Sequence, residues 1–323
     1  MTAPSSLPHT EAVVGKCFVF ASTSMRELML TAQRAARSNA AILITGESGS
    51  GKELIARTVH QYSLRCNNPW IDVNSAALPE HLVESELFGY EKGAFSGAES
   101  AKPGLFELAH SGTLFLDEIA ELESRTQVKL LRVLDGAPYY RLGGLHKVSV
   151  DVRVIAATSR DLEEVMQRGA FRRELYYRLS QIRLHVPPLR ERPEDIEPLV
   201  EFFLREADAA SAFSTEALHA LQQYSWPGNV RELRNTVVAA SVLAKGPEIT
   251  LGDLPPELNP RVRVLHSGTT TRLKEIEQQM ITQVLAKTGG SFQRAATMLG
   301  ISKRTLSRKL RRYGIEDAQC AAA

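Results

Sequence analysis

The chain has no run of about 18 consecutive apolar residues, which leaves no candidate for a membrane-spanning helix. Residues Met1 to Thr10 contain Pro and Ser but no basic stretch leading into an apolar core, so no secretory leader is expected. Cysteine is scarce: Cys17, Cys66 and Cys320 are odd in number and share no paired spacing. That pattern argues against a zinc site and a disulfide framework, and it predicts a protein of the reducing cytoplasm. No internal repeat is present. At 43% hydrophobic and 24% charged residues the composition is that of an ordinary globular protein. A length of 323 residues suffices for roughly two or three domains.

Acidic residues are missing from one stretch. From Ser291 to Gly314 there are seven basic side chains (Arg294, Lys303, Arg304, Arg308, Lys309, Arg311 and Arg312) and no acidic one. The overall net charge is only +2, because the tail from Thr271 carries +6 and everything before it −4. A basic C-terminal module on a mildly acidic body points to nucleic acid.

The chain is organised around Gly46-Glu47-Ser48-Gly49-Ser50-Gly51-Lys52-Glu53, preceded by the apolar run Ala41 to Thr45. A β-branched run, then glycines, then a lysine and a helical pattern reads as strand, phosphate loop and helix. The glycines let backbone N–H groups turn toward phosphates, the helix N-terminus adds partial positive charge, and Lys52 would reach the β/γ-phosphates. A general phosphate loop places Ser or Thr after the lysine to ligate Mg²⁺. Here that residue is Glu53, so the metal must be held mainly from elsewhere.

Further strands are expected at Trp70–Asn74, Thr113–Glu118, Val150–Thr158 and Ile182–Val186, separated by helices. Such alternation implies an α/β fold, a parallel sheet covered on both faces. Ligands bind such sheets at the carboxyl ends of the strands, where Gly46, Asn74, Asp117 and Thr158 all fall. Thr113-Leu114-Phe115-Leu116-Asp117-Glu118 is an apolar strand ending in two carboxylates, as in a Walker B element. Asp117 would hold Mg²⁺ directly or through water, and Glu118 would orient the attacking water. Asn74 would hydrogen-bond Glu118 and hold it back, or it is a plain turn asparagine. Gly93-Ala94-Phe95-Ser96-Gly97-Ala98 breaks all periodicity. A lone Phe among small residues suits a mobile contact loop, unless Phe95 folds back into the body.

After Pro187-Pro188 the strands are expected to stop. Three helices at Glu194–Asp208, Ser214–Tyr224 and Asn229–Leu243 would form a small all-α lid. Pro247, Pro255, Pro256 and Pro260 mark a linker. The predicted divisions are a tail at 1–12, an ATPase core at 13–187, a lid at 188–246, a linker at 247–270, a DNA-binding module at 271–315 and a short tail at 316–323. In the last module, Leu273, Ile276, Met280 and Val284 make one apolar helical stripe. Phe292–Leu299, a turn at Gly300-Ile301-Ser302, and Lys303–Arg312 then read as helix-turn-helix, with Gly300 at the C′ position and Ser302 as N-cap. Ile301, Leu306 and Leu310 would face the core. Ser302, Lys303, Arg304, Thr305, Ser307 and Arg308 would face a major groove; a basic helix packed on the body is the alternative.

These segments together resemble the central AAA+ domain of the bacterial enhancer-binding proteins, the activators of sigma-54 RNA polymerase. The matching stretches are Gly46 to Glu53, Glu86 to Gly89, Gly93 to Ala98, Gly112 to Glu118, Phe171 to Leu179, Pro188 to Arg192 and Trp226 to Leu233. The tail is similar to the Fis-type module that ends many members of the family. The resemblance implies ATP and Mg²⁺ as cofactors and a hexameric ring with nucleotide at subunit interfaces. It also implies Arg172 and Arg178 as arginine fingers for the neighbouring subunit, and Arg231 as the lid's nucleotide sensor. The family likewise carries Glu after the phosphate-loop lysine. Thr158-Ser159 stands where it usually has Thr-Asn, and Ser96 where it usually has Thr. From the first departure a lost or water-bridged contact with the γ-phosphate is expected, and from the second a weaker coupling. The Gly93–Ala98 loop would touch sigma-54, with a second surface loop near Arg141-Leu142-Gly143-Gly144.

The implied partners are an upstream DNA site, the sigma-54 polymerase holoenzyme, and further copies of the chain or of a related activator. Almost nothing precedes the ATPase, so control is expected from a protein acting in trans or from expression level. Two other readings are a replication initiator or helicase loader, and a repressor or sigma-54-independent regulator with residual ATPase activity. The first gives no reason for the Gly93–Ala98 segment.

Overall fold

The computed structural model describes residues 9–13, 16–209, 211–244, 246–258, 280–285, 288 and 291–313. They fall into two units, Met1–Leu258 and Asn259–Ala323. In the first unit, β1 (His9–Val13) and β2 (Lys16–Phe20) pair antiparallel ahead of α1 (Thr23–Ala36). Residues 9–12, expected to belong to an N-terminal tail, instead join a ladder with β2 through their backbone groups.

The body follows as β3 (Ile42–Thr45), α2 (Lys52–Gln61), β4 (Trp70–Asn74), α3 (Glu80–Phe88), α4 (Leu105–Leu108), β5 (Thr113–Asp117) and α5 (Ser124–Leu134). Next come a two-residue hairpin pair, β6 (Tyr139–Tyr140) and β7 (Lys147–Val148), then β8 (Arg153–Thr158), α6 (Leu162–Gln167), α7 (Arg173–Leu179) and β9 (Ile182–His185). Five strands form one sheet in the order β4-β5-β8-β3-β9, every neighbouring pair parallel. Side chains alternate across it with the period of two that a pleated strand imposes. Leu43, Leu114, Leu116, Val154 and Ala156 face Phe88, Phe106 and Leu175. Ile42, Ile44, Phe115, Ile155 and Ala157 face Met25, Ile55 and Val59 of α1 and α2. Both faces are thus buried, as a parallel sheet requires.

Polar groups fix the edges of this body. Arg153 is 2% exposed, and its guanidinium donates to the carbonyls of Ala35 and Ala36 at 2.9 and 2.8 Å, closing the C-terminus of α1. Burial, helped by the nearby Arg65 charge, pushes its pKa down to about 10. His60 is also buried and shares a 3.0 Å hydrogen bond with Thr113, and burial lowers its pKa.

Beyond the sheet lie α8 (Ile196–Glu206), β10 (Ala212–Phe213), α9 (Thr215–Gln223), α10 (Asn229–Leu243) and β11 (Glu248–Ile249). The β10–β11 parallel pair is a short exception to the expected all-helical lid. Trp226, fully buried, centres a core of Ile196, Val200, Leu221, Leu233 and Val237.

In the second unit, residues 280–285 are helical, followed by α11 (Phe292–Met298) and α12 (Lys303–Tyr313). Leu273 and Ile276 of the predicted stripe lie outside the described residues. Ile281, Leu285, Ala295, Ala296, Leu306 and Leu310 form one small core.

Gly112 marks the tightest crossing in the body: a Cβ there would stand 2.1 Å from the Pro69 carbonyl oxygen. That carbonyl accepts from Thr113 N at 2.9 Å, so it is not free to move. Gly112→Ala is expected to lower unfolding stability by about 1–3 kcal/mol, read from urea denaturation. An unchanged midpoint would mean that the strand edge yields.

Candidate functional site

The carboxyl ends of β3, β4, β5 and β8 meet at one edge of the sheet, which brings Gly46, Asn74, Asp117 and Thr158 together as expected. A cleft of about 750 Å³ opens there. Its polar side is Ser48 to Glu53, Asn74, Asp117, Glu118 and Arg231, and its apolar side includes Phe18, Val19, Leu199 and Phe203. One end suits phosphates and the other a flat apolar ring.

Gly51, at φ +108°, precedes α2, whose first residue is Lys52. Lys52 is 7% exposed. Its Nζ donates to the carbonyls of Gly46 and Glu47 at 2.9 and 3.2 Å and lies 3.8 Å from Glu118 Oε1. Burial lowers the Lys52 pKa, and the Glu118 and Asp117 carboxylates oppose that shift. Burial raises the Asp117 pKa, as does the neighbouring Glu118 charge. Asp117 Oδ1 accepts from Glu118 N at 3.0 Å. Glu53 pairs with Arg57 one turn along α2 at 2.9 Å, and Arg57 lies over the Trp70 ring.

Of the two alternatives for Asn74, the structure shows the turn asparagine. Asn74 does not reach Glu118: its Nδ2 approaches Asp117 Oδ2 at 3.5 Å, while its Oδ1 accepts from Ala76 N at 2.9 Å. The turn after β4 occupies the amide, leaving no arm for Glu118. Ser159 holds Glu118 instead, with N and Oγ donating to Oε2 at 3.0 and 2.9 Å. Thr158 is fully buried and its hydroxyl accepts from Arg160 N at 3.1 Å, so it supports the strand end from behind.

The lid is stitched to the phosphate loop by residues that no local pattern singles out. Asn229 is fully buried at φ +53°. Its Nδ2 donates to Glu47 Oε2 and to the Ser48 carbonyl, both at 3.1 Å, and its Oδ1 accepts from Leu189 N at 2.7 Å. Arg190 grips Glu47 through two bonds of 2.8 and 2.7 Å. These bonds, with that of Asn229, lower the Glu47 pKa. Gly49 has to be glycine: at φ +74°, its Cβ would stand 2.4 Å from the Gly228 carbonyl. Arg231 Nη1 donates to Ser48 Oγ at 3.2 Å.

A second tie lies beneath. Arg192, 1% exposed, donates to the Ser50 carbonyl at 2.7 Å and faces Asp195 at 3.4 Å. Asp195 in turn accepts from the backbone N of Ala21 and Ser22, both at 2.6 Å. The contacts of this network with the phosphate loop and with Ala21 and Ser22 join residues more than 140 positions apart, so the sequence names the Pro188–Arg192 and Trp226–Leu233 segments but not their bonds.

Neither Arg172 nor Arg178 lines the cleft. Arg172 is exposed, and Arg178 donates to the Leu134 carbonyl at 2.7 Å and pairs with Asp135 at 3.2 Å. Phe95 is 41% exposed and sits edge-on to Tyr90, ring centroids 4.9 Å apart. The base of its loop is bound to the second loop: Arg141 bridges Glu91 at 3.0 Å and Glu107 at 2.6 Å, and Glu91 N donates to the Leu142 carbonyl.

In the second unit, Gly300 adopts φ +66° and Ser302 Oγ accepts from Thr305 N at 3.1 Å, the two turn features read from sequence. Ser302, Lys303, Arg304 and Arg308 are exposed, Thr305 and Ser307 half-buried, and Leu306 and Leu310 buried.

A doubly covered parallel sheet with a phosphate loop at its carboxyl edge and a helical lid stitched to that loop defines an AAA+ P-loop ATPase. Residues 18–185 match the Sigma-54 interaction domain, 190–271 the AAA+ ATPase lid domain, and 272–313 the bacterial regulatory protein, Fis family. The chain belongs to the sigma-54-dependent transcriptional activators, and its central module is a nucleotide-binding ATPase. It is 45% identical over 313 residues to the regulatory protein AtoC of Escherichia coli, covering 92% of this chain and 68% of that one. It is 43% identical over 324 residues to the DNA-binding transcriptional regulator NtrC of the same organism, covering 91% and 69%. Among solved structures, NtrX from Brucella abortus is 38% identical with a TM-score of 0.74, covering 92% of this chain and 69% of that one. Its complex with ATP gives 36% and 0.71, covering 92% and 69%.

Asn229→Ala would strip Leu189 N, Glu47 and Ser48 of a partner inside a buried turn. A loss of about 2–4 kcal/mol is expected from several unmet polar groups, read from thermal and urea unfolding. A loss below about 1 kcal/mol would show that the stitch carries little.

Proposed function

We propose that the chain hydrolyses ATP at the interfaces of a ring of like or related subunits and delivers the released energy through the Gly93–Ala98 loop to sigma-54 polymerase. The observation that carries this is the cleft itself. Lys52, Asp117 and Glu118 converge in it, whereas Arg172 and Arg178 stay outside the cleft of their own chain. In this reading Lys52 and the backbone of Gly46 to Gly51 bind the phosphates, Arg231 senses them from the lid, and Glu118 orients the attacking water. Asp117 holds Mg²⁺. Among the described residues no group of three or more His, Cys, Asp or Glu side chains gathers for a metal. That fits an ion which takes one or two carboxylates and completes its shell with phosphates and water. Bound there, Mg²⁺ would offset the charge that builds on the phosphates. Asn74 then serves Asp117 rather than Glu118.

Arg172 and Arg178 act on the neighbour's nucleotide, with residues 13–187 as the core and 188–246 as the lid. The half-exposed Phe95 is the tip that touches sigma-54, and the Arg141 bridges tie its loop to the second one. Residues 271–315 bind an upstream DNA site, with Lys303, Arg304 and Arg308 facing the groove and Ser302, Thr305 and Ser307 beside them. Such work belongs in the cytoplasm, under control by a protein in trans or by expression level. Among the described residues no helix is long and apolar enough to cross a membrane.

Two experiments test the reading. Arg172→Ala should lower ATP turnover by about 10³, and mixing it with Lys52→Ala subunits should restore part of the activity at mixed interfaces. No recovery on mixing would sink the shared site. Phe95→Ala should keep ATPase activity yet lose open-complex formation on a sigma-54 promoter in vitro. Open complexes at the wild-type level would remove the loop from the mechanism.

A further inference from the structure

We infer that the ion pair between Glu84 of α3 and Lys129 of α5 is a joint that couples the arginine-finger segment to the Phe95 loop, with both side chains as positioning residues. This rests on the reading of the Gly93–Ala98 loop as the sigma-54 contact. Glu84 is 8% exposed, and a carboxylate so far from water needs cations beside it. Lys129 Nζ stands 2.6 Å from Oε1, an ion pair without the alignment of a hydrogen bond. Arg125, one turn earlier on α5 and largely exposed, lies 3.4 Å from Oε2. Lys129 Nζ also lies 5.5 Å from the centre of the Phe88 ring, within cation–π range. Glu84 and Phe88 are four positions apart and share one face of α3, so Lys129 grips that helix at two points.

The grip leads straight to the loop. Phe88 ends α3, and Gly89 follows at φ +74°, where a Cβ would stand 2.6 Å from the Lys102 carbonyl. Tyr90 comes next and meets the Phe95 ring edge-on at 4.9 Å. Glu84 and Lys129 border the same hollow of about 780 Å³ as Ala94, Phe95 and Ser96. A shift of α3 therefore passes through a tight backbone crossing into the base of a loop that has space beside it.

The other contacts of α5 face the finger segment. Gln127 is fully buried, and its Nε2 donates to the carbonyls of Leu122 and Ala170 at 2.7 and 2.9 Å. Its Oε1 accepts from Arg172 N at 2.9 Å, and the last carbonyl of α5, that of Leu134, accepts from Arg178. One helix of 11 residues thus touches both arginines and, through Lys129, the helix that carries the loop. A displacement of Arg172 or Arg178 toward a neighbour's nucleotide would move α5 as a rod. Glu84 has to follow, because losing Lys129 would leave a buried charge beside a mostly solvated Arg125.

The test uses the full chain carrying Glu84→Gln with Lys129→Met, a pair that removes both charges and strands neither. ATP turnover is expected to stay within about twofold of wild type. Open complexes formed per ATP hydrolysed on a sigma-54 promoter should fall about tenfold. Amide exchange at residues 93–98 should lose its response to ADP with aluminium fluoride. Each single variant should show the same loss, with no addition in the pair. Lys129→Arg keeps the charge and should hold both readouts within about threefold of wild type. Open complexes per ATP at the wild-type level in the paired variant would overturn the inference, as would a retained exchange response. So would turnover falling in step with open complexes, or a loss in Lys129→Arg equal to that in Lys129→Met. Wild-type open-complex formation in Phe95→Ala would instead remove the loop from the mechanism, a separate result.

Discussion

A loop rich in glycine and serine has little besides Lys52 to hold its shape from within, so its conformation depends on what grips it from outside. Two buried side chains do so. Asn229 spans the Ser48 carbonyl, the Glu47 carboxylate and the Leu189 N–H, while Arg192 reaches the Ser50 carbonyl. Each satisfies a backbone group that would otherwise be stranded away from water. Because both come from the lid side of the chain, the conformation of the phosphate loop and the placement of the lid are one structural fact.

That coupling gives the lid a mechanical meaning. Glu47 lies inside the phosphate loop and is gripped by Arg190, so a displacement of the lid pulls on the loop through a two-bond guanidinium fork with defined geometry. The same principle recurs elsewhere in the first unit. Arg141 bonds Glu91 and Glu107 together, joining the base of the Phe95 loop to the second loop and to α4. Charged pairs and backbone hydrogen bonds, and not chain continuity, thus connect the short loops of this body.

The resemblance named in the sequence and the matched family agree, and the sheet, the order of its elements and the helix-turn-helix were legible because each has a local signal. Apolar runs of four or five residues gave the strands, Gly300 and Ser302 gave the turn, and the two carboxylates after Leu116 marked the acidic end of β5. The residues 9–12 were misread because their apolar content is low and only a partner strand makes them a strand. For Asn74 the sequence leaves a bond to Glu118 and a turn role open alike, because it stands beside Asp117 and Glu118 both, and only the turn at Ala76 shows which it takes here.

Sequence by itself determined which residues line up at the carboxyl edge, because strand length and side-chain period fix where each strand ends. It also determined the basic face of α12, since helical spacing alone separates Leu306 and Leu310 from Arg304 and Arg308. Tertiary structure decided which partner each polar group takes. Asp195 bonding Ala21, Asn229 bonding Ser48, and Ser159 bonding Glu118 all join positions far apart in the chain. A hydrogen bond is made over about 3 Å, and only the packed fold sets distances of that size between segments so remote.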